Sequence, residues 1–271
     1  MTAYTYCIAD EVFQRYPGYV RGVVIAHELA NGPSPPALVE LLREAEASVR
    51  ARVKPDAVAE EPRIKSWREA YRAFGAKPAE FRSSIEAMAR RALKNDRLPA
   101  INALVDIGNL ISLRHLLPAG AHAIDLLTGD IALRPATGVE QFVAFGSTET
   151  EHPLPGEIIF TEGDTVLTRR WTWRQAQHTL TLPETRAVEF NIDGLPPVPA
   201  EEVERAGMEI MELVQRYCGG RARFALLSSD RPSVSPDFDT SEAQFWPTPS
   251  NGAGLRALSR QNPRYMDCCF S

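Results

Sequence analysis

The chain changes character at Pro118, and that change governs what it can fold into. Before it, apolar residues recur at helical spacing in four successive segments. Leu38, Leu41, Leu42, Ala45 and Val49 predict a helix over 36–53. A second, over 62–74, opens on Pro62, a residue suited to a first helical turn. A third, over 78–94, keeps Phe81, Ile85, Met88 and Ala92 on one face, and a fourth runs from 98 to about 116. After Pro118, short β-rich pieces at 130–134, 140–146, 157–161, 164–171 and 186–192 are separated by Gly, Pro and Asp. A strand over 18–27 precedes the helices, and a helix over 199–217 and an apolar run over 223–227 follow the strands. Helices early, strands in the middle and a helix late predict an α+β domain.

At 271 residues the chain has room for one large domain or two small ones. Its net charge of −5 supplies no overall basic field, which argues against DNA and leaves any RNA contact to a local patch. No apolar run is long enough to cross a bilayer, and Asp10, Glu11 and Arg15 come too early for a signal peptide. Cys7, Cys218, Cys268 and Cys269 form neither a disulfide framework nor a zinc spacing, so a reduced, cytoplasmic protein is expected. The histidines His27, His115, His122, His152 and His178 show no metal spacing. Serine-elbow, phosphate-loop and H-E-x-x-H signatures are absent, so no metal and no cofactor is expected. The segment 228–271 is rich in Ser, Pro, Asp and Thr, which fits a mobile extension, while Phe245, Trp246 and the terminal YMDCCF fit one that docks in part, and the sequence leaves both readings open.

Three segments carry polar groups in patterns that chemistry could use. On the 98–116 helix, Asn102, Asp106 and Asn109 form a stripe about 100° from the apolar one. Such stripes are most often solvated flanks, and they also line pockets at a core's edge; Gly108, which costs a helix about 1 kcal/mol relative to alanine and often marks a close approach, tilts the balance only a little toward the pocket. In EFRSSIEAMARRALKNDR, Arg90 and Arg91 complement the helix dipole, or they form a phosphate-facing strip with Arg82, Ser83 and Ser84. In RRWTWRQAQHT, a strand would place Arg170, Thr172 and Arg174 on one face and Trp171 and Trp173 on the other. Core tryptophans explain that pattern, and so does a platform for single-stranded RNA.

Residues 99–136 carry a family resemblance. PAINALVDIGNLISLRHLLPAGAHAIDLLTGDIALRPA resembles the B3/B4 region of the phenylalanyl-tRNA synthetase beta subunit. There a VN-x-x-VD-x-x-N helix leads to a GQPLHAFD turn and a G-x-I-x-V-R-x-A strand. Here Asn102, Val105, Asp106 and Asn109 stand in the first block, Gly120, His122 and Asp125 in the second, and Gly129, Ile131 and Arg134 in the third. Glu184, Thr185 and Val188 match a downstream ET-x-x-V. The resemblance covers about 78–195. It implies a B3/B4-like α+β fold, with a mixed or antiparallel sheet packed with helices. Residues 1–77 would form a flank packed on the core, 78–227 the editing core and 228–271 the extension.

In the synthetase this domain hydrolyses tyrosine wrongly attached to the phenylalanine tRNA. The resemblance therefore implies a free-standing deacylase of mischarged aminoacyl-tRNA, with the tRNA acceptor end as partner. The family's histidine falls on His122, which with Asn102 and Asn109 forms the implied catalytic set. The family's glutamate falls on or near Gln177, a departure that puts tyrosine in doubt. Free-standing relatives clear the arginine analogue canavanine from an arginine tRNA, and a cationic side chain would call for a carboxylate such as Asp106, Glu157 or Asp193. Arg82, Ser83, Ser84, Arg90, Arg91, Arg170, Trp171, Trp173 and Arg174 are the implied tRNA contacts. The alternative is a module that binds tRNA or another RNA without catalysis.

Overall fold

The computed structural model describes residues 5–94 and 97–235. Phe245, Trp246, Cys268, Cys269 and the rest of the expected extension beyond 235 lie outside them. In chain order the elements are β1 (Tyr6–Ile8), α1 (Asp10–Arg15), β2 (Val20–His27), α2 (Pro36–Arg52), α3 (Pro62–Ala73), α4 (Ser84–Leu93) and α5 (Ala103–His115). Next come β3 (Ala119–Ala123), β4 (Ile131–Pro135), β5 (Phe142–Val143), β6 (Thr150–Glu151), β7 (Ile158–Glu162), β8 (Thr165–Arg169) and β9 (Arg174–Gln175). The last of the described residues form β10 (Val188–Gly194), α6 (Ala200–Cys218), β11 (Arg221–Leu227) and β12 (Ser233–Val234). The fold is α+β. A four-stranded antiparallel sheet has the order β11-β2-β10-β3, and a six-stranded sheet, mixed because β1 runs parallel to β4, has the order β12-β1-β4-β7-β8-β9.

The helices form where the apolar spacing places them. In α2, Leu38, Leu42, Ala45 and Val49 are buried on one stripe, and Pro36 fills the first turn, where no amide donor is needed. In α3 the Glu61 carboxylate accepts from the amides of Arg63 and Ile64, capping the helix ahead of buried Ile64, Trp67 and Tyr71. Helices α5 and α6 cover one face of the four-stranded sheet. Its other face meets the six-stranded sheet through Tyr6 on β1 and Phe160 on β7. Strand β2 is thus buried on both faces, which is why its sequence is a nearly continuous apolar run. Residues 1–77 contribute β1 and β2 to the two sheets, and Ser233–Val234 pairs with β1 at a sheet edge.

Three expected elements differ. The fourth helix starts at Ala103 rather than 98, because Asn102 is extended and its side chain accepts from the Val105 amide as a cap. The third starts at Ser84 rather than 78, with Ser83 capping it through the Glu86 amide. Residues 169–174 do not continue as one strand. Arg170 (φ 47°) and Trp171 (φ 65°) are left-handed, and the chain turns sharply between β8 and β9. Trp171 then lies in an aromatic cluster with Tyr16, Tyr19 and Trp67, at ring distances of 4.7, 4.8 and 5.1 Å.

Gly22, in the middle of β2, shows how closely the layers meet. A Cβ there would sit 3.0 Å from Phe224, 3.0 Å from Val203 and 3.2 Å from Ile192, side chains of β11, α6 and β10. Three elements cannot all give way together. Gly22→Ala is therefore expected to destabilise the protein by about 1–3 kcal/mol, the usual cost of overpacking, measured as a lower urea midpoint at unchanged slope.

Candidate functional site

A cavity of about 450 Å³ opens between the edge strand β3, the N-terminal half of α5, helix α4 and the β8–β9 turn. It lies there because, among the described residues, β3 has no strand partner beyond it. The sheet ends, and the turn of the second sheet folds over that edge. Val105, Gly108 and Asn109 face it from α5, Gly120 and His122 from β3, and Asn191 and Asp193 from β10. Thr168, Trp173, Arg174 and Gln175 close the far side, while Arg82 and Arg91 stand on its α4 side.

His122 lies within β3, not in a turn ahead of a strand, and is only 2% exposed. Both ring nitrogens are engaged: Nδ1 lies 2.8 Å from the Thr179 hydroxyl and Nε2 3.1 Å from the Thr168 hydroxyl. Burial, with the Arg21 charge nearby, lowers its pKa to about 3. The imidazole is neutral, with one nitrogen donating and the other accepting, so it fixes the direction of the Thr168 hydroxyl.

Behind His122 the two sheets share a buried polar network. Arg21 on β2 binds Asp193 on β10 at 2.7 Å, and the Tyr19 hydroxyl donates to the same carboxylate. Arg21 also donates to the Tyr6 hydroxyl at 2.9 Å, which donates to Glu189 at 3.0 Å. Glu189 pairs across the strands with His122. Burial pushes its pKa up to about 8, against the lowering pull of Arg21.

The structure divides the residues singled out in the sequence. Asn109, His122, Asp193, Arg82, Ser84, Arg91, Trp173 and Arg174 line the cavity. Trp171 reaches its wall but is 1% exposed, a core residue unable to offer a free ring face. Asn102, Asp106, Glu157, Gln177, Ser83, Arg90 and Arg170 do not line it. Asn102 caps α5 and donates to the Thr181 carbonyl. Asp106 points from α5 toward Ser34 and the Ile101 amide, and burial raises its pKa to about 6. Glu157 is occupied by Arg169 at 2.8 Å, Gln177 is exposed, and Arg90 pairs with Glu86 at 2.9 Å. Arg170 stacks over Phe81 (3.7 Å) and Trp173 (4.3 Å). Sequence reasoning missed Thr168, Gln175 and Asn191. Asn191 had a signal: in VEFNID, polar residues alternate with apolar ones, the pattern of a strand with one polar face.

The model of the B3/4 domain family matches residues 66–219, more than half of the chain. The chain belongs to the B3/4 domain family. A crystal structure of an N-terminal fragment of the phenylalanyl-tRNA synthetase beta subunit from Pyrococcus horikoshii is similar to it, at 12% identity and a TM-score of 0.41. The similarity covers 82% of this chain and 52% of that one, so the chain spans about half the fragment's length. No curated protein matches it. Among the described residues of this B3/4 protein, no helix is long and apolar enough to cross a membrane, and no group of three metal-ligating side chains occurs.

The buried acid behind the B3/4 cavity has a measurable consequence. Glu189, raised from 4.5 to about 8, keeps its proton in the folded state between those pH values and loses it in the unfolded chain. Stability from this group is complete below 4.5 and declines as pH rises toward 8. His122, lowered, acts in the opposite sense but only below 6.5, and Asp106, raised, acts in the same sense as Glu189 but only below about 6. Between pH 6.5 and 8 the Glu189 slope therefore stands clear of both. Urea melts across that window should show wild-type stability falling and Glu189→Gln, which keeps an acceptor for Tyr6, remaining level. A wild-type profile as flat as the variant's removes the proton from Glu189.

Proposed function

We propose that this protein binds the acceptor end of an aminoacyl-tRNA and hydrolyses the ester linking the amino acid to the terminal ribose. The observation that carries the reading is one cavity with two kinds of wall. Its rim carries Arg82 and Arg91 on the α4 side and Arg174 beside partly exposed Trp173 on the far side, and a neutral, hydrogen-bonded set around His122 lies within. Cations beside an aromatic ring suit the phosphates and bases of a single-stranded end. Arg174 lies 4.4 Å over the Trp173 ring and holds it in place. Family membership supports the same reading.

An aminoacyl ester is already activated, so the protein need only place a water and stabilise the oxyanion that forms when water adds to the carbonyl. The ribose hydroxyl then leaves with a proton, and the free amino acid and uncharged tRNA are the products. His122, fully engaged and neutral, is a positioning residue: it fixes the Thr168 hydroxyl at the cavity wall, and Asn109 offers a second polar group. Of the carboxylates considered for an arginine analogue such as canavanine, Asp106 and Glu157 lie outside the lining. Asp193 is already bound by Arg21.

The same neutrality of His122 favours a second reading, in which the cavity binds the charged end without cleaving it. A panel of correctly and incorrectly charged tRNAs, followed for ester loss in single turnover, decides between them. His122→Ala is expected to slow deacylation by roughly 10- to 1000-fold while retaining a cooperative melt. Wild-type rates in the folded variant would remove His122 from the mechanism, and retention of charged tRNA without ester loss would select the binding reading. Arg82→Glu with Arg91→Glu should weaken tRNA binding broadly and make the slope of log K against log salt concentration shallower by about 1 per lost phosphate contact. Unchanged binding would make that side of α4 a solvated helix face.

A further inference from the structure

We infer that the cavity selects an uncharged, hydrogen-bonding aminoacyl side chain, and that Asn191 is the residue that sets this choice, with Gln175 as its complement. The inference rests on the proposed aminoacyl site and adds the class of side chain.

The two amides are pinned to consecutive residues of β3. The Gly120 amide donates to Asn191 Oδ1 at 3.0 Å, which fixes which end of that side chain is oxygen and leaves Nδ2 as a donor. The approach requires glycine, since a Cβ on residue 120 would come within 2.8 Å of the same oxygen. Gln175 spends both Nε2 hydrogens on backbone carbonyls, Ala121 at 2.9 Å and Thr179 at 2.8 Å, which leaves Oε1 as an acceptor. Among the described residues, neither Asn191 Nδ2 nor Gln175 Oε1 has a hydrogen-bond partner, and both residues line the cavity. A donor and an acceptor with fixed identities thus stand at one edge of one strand.

The charges in the deep wall cancel. Both oxygens of Asp193 accept from Arg21, at 2.7 and 3.1 Å, and Arg21 is fully buried. The remaining charged lining groups, Glu80, Arg82, Arg91 and Arg174, are all more exposed than this pair. A cationic or anionic side chain entering the deep wall would lose its hydration and find no unpaired countercharge. An apolar one would leave the Asn191 donor and the Gln175 acceptor buried and unpaired, the situation that discriminates most strongly between ligands of equal size. An uncharged group with both a donor and an acceptor, such as an amide, satisfies both.

The test uses non-hydrolysable 3′-aminoacylamino-3′-deoxyadenosines carrying glutaminyl, lysyl, glutamyl or methionyl groups, with affinity read by calorimetry on the full chain. The glutaminyl conjugate is expected to bind about 10-fold or more tighter than the other three. Asn191→Asp keeps the acceptor for Gly120 and replaces the donor by a carboxylate oxygen. It should weaken the glutaminyl conjugate by about 10-fold and strengthen the lysyl one. A wild-type preference for the lysyl, glutamyl or methionyl conjugate, or the wild-type ranking retained in a folded Asn191→Asp protein, overturns the inference. The wild-type ranking serves as the test even where the variant does not fold. Failure of all four to bind overturns this inference together with the proposed aminoacyl site. Ester hydrolysis with a cationic or apolar preference overturns the inference alone, whereas the expected ranking without hydrolysis supports it and removes only the catalytic step.

Discussion

The buried pair of Arg21 and Asp193 is the constraint around which the molecule is arranged. It joins the two central strands of the four-stranded sheet on the face that meets the other sheet, and both side chains are almost completely buried. Such a pair is tolerable only if each remaining donor and acceptor is met, because an isolated charge in that position would cost several kcal/mol. Tyr6, Tyr19 and Glu189 meet that demand from β1, the start of β2 and β10. The inner face of the sheet therefore has a polar centre where an ordinary sandwich would have a purely apolar one. The cavity is the continuation of that polar centre toward the open edge at β3.

This arrangement explains why the histidine is neutral. A positive Arg21 at close range and complete burial both oppose protonation of His122, while two threonine hydroxyls satisfy its nitrogens without charge. Its cross-strand neighbour Glu189 is held in the protonated form by the same burial. Around this ion pair, His122 and Glu189 give up their charge, which keeps the deep wall of the cavity electrically balanced.

Much of the fold could be read from residue spacing, and the exceptions have physical reasons. Pro36 and Pro62 open α2 and α3 where a first-turn proline belongs, and α6 follows the buried run Val203, Ala206, Ile210 and Val214. Strand β3 escaped because AGAHA has no β-branched residue. Its partner β10 makes it a strand, which is a tertiary effect. The stripe of Asn102, Asp106 and Asn109 presupposes one continuous helix, yet Asn102 stands before the first turn and Asp106 turns toward Ser34, so only Asn109 reaches the cavity. Gln177 and Gln175 illustrate a register effect. The single helical turn at Gln177–Thr179 carries one glutamine outward and leaves the other against β3.

The β8–β9 turn shows how the fold gives neighbouring residues opposite tasks. Two non-glycine residues, Arg170 and Trp171, adopt left-handed backbone angles, a conformation costing on the order of 1–3 kcal/mol each. The surroundings enforce it. The Arg170 amide donates to Glu157, the Trp171 amide to the Ile158 carbonyl, and the Trp171 ring lies edge-on among three other aromatic rings. A regular strand would have placed Trp171 and Trp173 on the same face. The turn instead sinks Trp171 into the core and leaves Trp173 partly exposed, braced by Arg170 and Arg174 at 4.3 and 4.4 Å. Backbone strain held by core packing thus converts an alternating Arg-Trp sequence into an anchor followed by a rim, and it delivers Gln175 to the edge of β3.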